Sequence, residues 1–168
     1  MPDLDRAIAL APDYPPSYIN RGNALLGLGR TDSAIFCYNE ALSLDTASAN
    51  AYGNRGLAFF RKGDPQRALA DYNRALSLDS SLHHVVLNRA LARNATGQYT
   101  LALGDLDSYL LSNAHDASAL AARAWALFKL KRYEQAASDY QLLVARKTAL
   151  PQEYSAMVNY FRKRGLRP

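Results

Sequence analysis

A short signature returns at a fixed interval along this chain. Asn20-Arg21-Gly22 is followed by Asn54-Arg55-Gly56 and Asn88-Arg89-Ala90, and one further step of equal length lands on Ala122-Arg123-Ala124. Ala34, Ala68, Ala102 and Ala136 keep the same phase, as do Tyr38, Tyr72, Leu106 and Tyr140. Ala41, Ala75, Tyr109 and Leu143 follow, then Leu44 and Leu78. Columns held in register in this way leave few architectures open. Each copy has to be one supersecondary unit, and neighbouring units have to stack to bury a shared core.

Each copy reads as two helices. The first carries apolar or small residues at three- and four-residue spacing: Tyr52, Gly56 and Phe59 in the second copy, Leu120, Ala124 and Leu127 in the fourth. The second helix does the same through Ala68, Tyr72, Ala75 and Leu78. Gly29, Gly63, Gly97 and, in the fourth copy, Lys131 mark the turns between them. Asp64-Pro65 has the chemistry of an N-cap followed by a proline in the first helical turn. Asp45, Ser80 or Ser81, and Asp116 are the expected caps of the next first helices. Glycine or alanine at Gly22, Gly56, Ala90 and Ala124 lets backbones approach, and Tyr38, Tyr72 and Tyr140 fill the facing space.

The pattern resembles the tetratricopeptide repeat family, whose period is 34 and whose signature pairs small residues with aromatics at these offsets. Four copies match directly, at residues 15–48, 49–82, 83–116 and 117–150. Residues 1–14 keep phase with the end of a second helix through Ala7, Leu10 and Pro12. Tyr154, Val158, Phe161 and Gly165 match a first helix again, so residues 151–168 are expected to cap the stack and carry a basic tail. The resemblance implies an all-α fold, a right-handed superhelical α-solenoid of antiparallel helix pairs, forming one domain over residues 1–168.

Composition narrows the function. No apolar run approaches the roughly 18 residues that cross a bilayer, so no membrane role is expected. The start, MPDLDRAIAL, lacks a basic lead and apolar core, and the single cysteine, Cys37, excludes an internal disulfide; both point to a cytoplasmic setting. Residues 1–116 carry a net charge of −2 and residues 117–168 one of +7. That basic end opens an alternative reading, nucleic-acid or acidic-partner binding, although nucleic acid is not the expected ligand.

Reactive groups do not converge in the sequence. His83-His84 are adjacent and diverge by about 100° on a helix, whereas metal-binding pairs use a three- or four-residue spacing. Cys37 has no histidine near it in sequence and reads as an inert core thiol. Gly27-Leu28-Gly29 is a helix end without the Gly-Lys-Ser/Thr of a phosphate loop. No catalytic residue, cofactor or metal is expected. The arginine column, Arg55, Arg89 and Arg123, is expected to pair with Asp71, Asp105 and Asp139, with Cys37 breaking the aspartate series.

The expected role is therefore a protein-interaction scaffold. In the family that this chain resembles, first helices line a concave face that binds peptides. Carried over by phase, the peptide-binding residues are Asn20, Asn23, Asn54, Phe60, His84, Asn88, Trp125, Phe128 and Lys129, with Leu57, Leu91, Asn94 and Ala122 beside them. Asparagine both donates and accepts, so a row of them suits the repeating amide of an extended chain. Phe60, Trp125 and Phe128 would add apolar anchors. Some relatives clamp the C-terminal carboxylate of heat-shock chaperones. Here Asn23 and Asn54 fit that clamp, but Ile19, His84 and Asn88 stand where its basic residues belong, so this function is not expected. A third reading is a self-associating array in which Leu4, Ala7, Ile8 and Leu10 dock on a neighbouring copy.

Overall fold

Turn chemistry sets the element boundaries. The computed structural model describes residues 2–166, and among these it contains α-helices, one 3-10 turn and no strand. The helices are α1 Pro2–Leu10, α2 Pro15–Gly27, α3 Thr31–Leu44, α4 Ala49–Arg61, α5 Pro65–Leu78, α6 His83–Ala95, α7 Tyr99–Ser112, α8 Ala117–Lys129, α9 Tyr133–Ala145 and α10 Ser155–Arg162. The turn between α4 and α5 needs a left-handed residue, supplied by Gly63 at φ 85°. The turn between α8 and α9 uses Lys131 at φ 61°, a conformation that costs an L-residue about 1–2 kcal/mol.

Capping follows the expectation at two helices and departs from it at a third. Asp64 accepts from the Arg67 amide ahead of Pro65, and Asp116 accepts from the Ala119 amide. For α4 the cap is Ser48, not Asp45. Asp45 closes the end of α3 and its carboxylate accepts from the Ala47 amide, too early in the chain to reach the new helix.

The chain divides into two compact units, Met1–Ala92 and Arg93–Pro168. In the first, α2 packs on α3, α4 on α5, and α3 on α4. Tyr38 and Tyr72 are fully buried against the small positions. A Cβ on Gly22 would lie 2.5 Å from the Tyr38 ring and one on Gly56 2.7 Å from the Tyr72 ring, so neither glycine can be enlarged without moving an aromatic. In the second unit α7 and α9 both pack on α8. Here α10 adds a layer: Phe161 stacks on Tyr140 at 5.1 Å, and Tyr160 stacks on Tyr133 at 4.6 Å. Among the described residues, no helix is long and apolar enough to cross a membrane.

Arginine–carboxylate pairs knit successive helices. Arg55 grips Asp71 with two bonds of 2.8 Å and donates a third to Asn39. Arg123 repeats this geometry on Asp139 at 2.8 and 2.7 Å, with Asp107 at 3.0 Å. Arg89 donates to Asn73 at 3.1 Å, and Asp105 accepts from Arg93 at 2.6 Å. Arg93 is a partner the column spacing did not suggest, because it sits one helical turn past Arg89.

Burial also makes the fold sensitive to alkali. It pushes the Tyr38 hydroxyl up to about 12, and Tyr72 and Tyr154 are raised by the same cause. A tyrosine whose folded pKa lies above its unfolded value near 10 contributes stability that is complete below pH ~10 and is lost as pH rises toward the folded value. The melting temperature should therefore decline between pH ~10 and ~12, with phenolate absorbance emerging together with loss of helical circular dichroism. A melting temperature that stays level to pH ~11.5 contradicts this assignment.

Candidate functional site

The surface to consider is the outward face of the first helices, built separately on each unit. On the first unit, α2 and α4 bring two of the expected residues together. Asn54 Nδ2 donates to Asn23 Oδ1 at 3.0 Å, and the Tyr38 hydroxyl donates to the same oxygen at 2.8 Å. Asn23 is exposed and Asn54 half-buried, so the pair is a polar bridge open on one side. With its oxygen turned inward, Asn23 presents its amide nitrogen as a donor. Asn54 has turned its nitrogen to Asn23 and presents its oxygen as an acceptor. One donor beside one acceptor matches the C=O and N–H of a peptide main chain.

The other expected residues of this unit are dispersed around that pair. Asn20 and His84 are exposed, and Asn88 is half-buried one repeat beyond Asn54. Phe60 is half-buried and packs against the core cluster of Phe59, Tyr72 and Val85, so part of its ring is already spent internally.

On the second unit Trp125, Phe128 and Lys129 form a group. Trp125 and Phe128 stack at 5.9 Å, and Lys129 holds its ammonium 5.1 Å from the Trp125 ring and 5.7 Å from the Tyr99 ring. Such cation–π contacts hold an exposed cation in place at modest gain. The rings are not open anchors throughout: Tyr154 lies 5.5 Å from Trp125, and Phe128 is edge-on to both Tyr160 and Phe161. The 3-10 turn and α10 therefore cover much of their surface. Asn94 turns inward, donating to the Ala122 carbonyl at 2.9 Å while 8% exposed, and it is not a displayed amide.

Two participants escaped the sequence reading, Tyr38 and Tyr99. Tyr38 was legible as a packing aromatic, and its fixed offset from Asn23, from a first helix to the second helix of the same repeat, is the signal that could have paired the two. At the N-terminal helix the side chain of Leu4 lies outside the described residues; Ala7 and Ile8 are half-buried and Leu10 is 77% exposed. At the basic end Arg162, Lys163 and Arg164 are exposed, with Arg164 lying 3.7 Å over the Tyr160 ring.

Antiparallel helix pairs repeated at a constant interval, with a polar face on the first helices, define a helical-repeat scaffold. Residues 19–82 and 87–152 match the family model described as Tetratricopeptide repeat, and the chain belongs to that family. Its fold is similar to that of YrrB, described as a TPR protein with an unusual peptide-binding site, at TM-score 0.78 and 22% identity over 84% of this chain and 73% of that one. It is similar to MamA at TM-score 0.77 and 18% identity, over 86% of this chain and 84% of that one. The second TPR domain of human RPAP3, solved in complex with an HSP70 peptide, is 26% identical at TM-score 0.61, over 67% of this chain and 98% of that domain. No curated protein sequence matches the chain.

Proposed function

We propose that this protein is a non-catalytic scaffold that holds an extended peptide or protein segment against the first-helix face of residues 15–92. The observation that carries this reading is the Asn23–Asn54 bridge, a fixed donor beside a fixed acceptor on an open surface. Asn20 and Asn88 extend the same amide chemistry at the repeat spacing, and Trp125, Phe128 and Lys129 offer a second contact region with an apolar rim. The peptide-binding descriptions of YrrB and RPAP3 support the class of ligand. A carboxylate clamp is not part of the proposal, because Ile19, His84 and Asn88 supply no fixed cation.

Replacing Asn54→Ala together with Asn88→Ala tests it. Asn88 can make two hydrogen bonds to a peptide backbone and Asn54, its nitrogen turned to Asn23, one through its oxygen, at a net ~0.5–1.5 kcal/mol per bond. Losing about three should weaken binding by ~1.5–4.5 kcal/mol, roughly tenfold or more. The fold should survive, since alanine favours helix and the lost bond to Asn23 is solvent-facing. A binding isotherm for a partner recovered by pull-down, with circular dichroism as control, reads the result. Full affinity in the double variant overturns the proposal. If binding then also falls steeply with salt, the second reading takes over, an acidic partner on Lys131, Lys147, Arg162 and Lys163, all exposed.

A further inference from the structure

Asn23 Oδ1 is satisfied by two convergent donors, the Tyr38 hydroxyl at 2.8 Å and Asn54 Nδ2 at 3.0 Å. One repeat later both donors recur, Tyr72 in the place of Tyr38 and Asn88 in the place of Asn54. The two tyrosine rings are seated alike, each against the glycine of its own repeat, Gly22 for Tyr38 and Gly56 for Tyr72. The acceptor does not recur. Leu57 stands one repeat after Asn23, in the equivalent place. Tyr72 is fully buried, and its hydroxyl has no hydrogen-bond partner among the described residues. Such an orphan is uncommon, because a buried hydroxyl gives up water and receives nothing in return.

We propose that the position framed by Leu57, Tyr72 and Asn88 takes a carbonyl oxygen from a bound ligand, where one repeat earlier the chain supplies its own from Asn23. This rests on the first-helix face being the binding surface. Both donors are neutral, so a neutral amide carbonyl satisfies them without stripping water from a charge. Leu57 is half-buried and apolar, and it offers the Tyr72 hydroxyl no acceptor. The ligand chemistry is an amide, from a peptide main chain or from an asparagine or glutamine side chain. Asn23 shows why this repeat is open and the one before it is not: it provides the acceptor in its own repeat, and Leu57 has none to provide.

Two amides serve as probes, N-methylacetamide for the main chain and propionamide for the side chain, titrated into the protein while backbone and asparagine side-chain NH signals are followed by NMR. Saturable shifts of the Asn88 side chain and the Leu57 amide are expected, and the tighter probe names the source. Tyr72→Phe should weaken the tighter probe about tenfold, the loss of roughly one net hydrogen bond. Leu57→Asn should abolish the shifts by filling the position internally. Thermal unfolding gives an independent readout. Tyr38→Phe should lower the melting temperature, because it removes a bond to Asn23, while Tyr72→Phe should hold or raise it. A drop for Tyr72→Phe as large as that for Tyr38→Phe would show an internal partner and overturn the proposal. So would the absence of saturable shifts at Asn88, or shifts indifferent to Tyr72→Phe. None of these outcomes touches the binding surface itself, which is decided by the Asn54 and Asn88 double variant.

Discussion

Deleting residues 151–168 is expected to lower the melting temperature by on the order of 10 °C and to make the protein associate. The segment is a structural part of the second unit. Tyr154, Met157 and Phe161 are 5%, 0% and 2% exposed, and each large apolar side chain contributes about 1.5–3 kcal/mol on burial. Ordering α10 offsets part of that gain, so a net loss of at least ~3 kcal/mol is the conservative expectation, at roughly 2–4 °C per kcal/mol for a chain of this size. The deletion also uncovers Tyr140, which stacks on Phe161, and Trp125 and Phe128, which the cap overlies. A solenoid end with such a surface bare seeks another copy. Phe161→Ala is the point version, at about 3–5 kcal/mol. Calorimetry and sedimentation velocity read both variants. An unchanged melting temperature and a monodisperse truncated protein would make the segment a linker.

Arg123→Met should be the most damaging charge substitution tested, at about 3 kcal/mol. The guanidinium makes two bonds to Asp139 and one to Asp107, and the Asp139 side chain is only 5% exposed. Removing the cation leaves a carboxylate with almost no access to water, and desolvation then dominates. The Arg123 side chain is 27% exposed, which holds the expectation at the low end of the range for buried pairs. Adding Asp139→Leu should restore much of the loss, since no stranded charge remains. Lys62→Met is the comparison. Lys62 and Asp32 meet at 2.6 Å, but their side chains are 49% and 80% exposed, and such pairs contribute at most about 1 kcal/mol. Urea denaturation of these variants beside the parent protein decides the matter. A loss for Arg123→Met no larger than that for Lys62→Met would mean that water reaches Asp139 once the arginine is gone.

Much of this architecture follows from periodicity along the chain. The recurrence of Gly22, Gly56 and their alanine counterparts against Tyr38, Tyr72 and Tyr140 identifies the helix pairs, because a helix places residues three and four apart on one face and a small residue marks a close approach. Gly63 and Asp64-Pro65 mark a turn and a helix start for equally local reasons, a left-handed backbone and a satisfied amide. The same logic identifies which residues belong to the first-helix face. It does not say what each side chain does there. Phase alone makes Trp125 and Phe128 look like open anchors, and only the return of α10 over them shows that part of each ring serves the fold. Phase assigns Asn94 to the displayed row, while the nearby Ala122 carbonyl draws it inward. Asp45 and Ser48 are both plausible caps by residue type, and the path of the chain between α3 and α4 decides between them. The sequence by itself determined the helices, their faces and the small-to-large seams, since each depends on neighbours within a few residues or on a repeat of fixed length. Which amide is turned outward, which hydroxyl has an acceptor and which ring is covered were decided by the tertiary structure, because a hydrogen bond or a ring contact requires a second group brought within a few ångströms from a distant part of the chain.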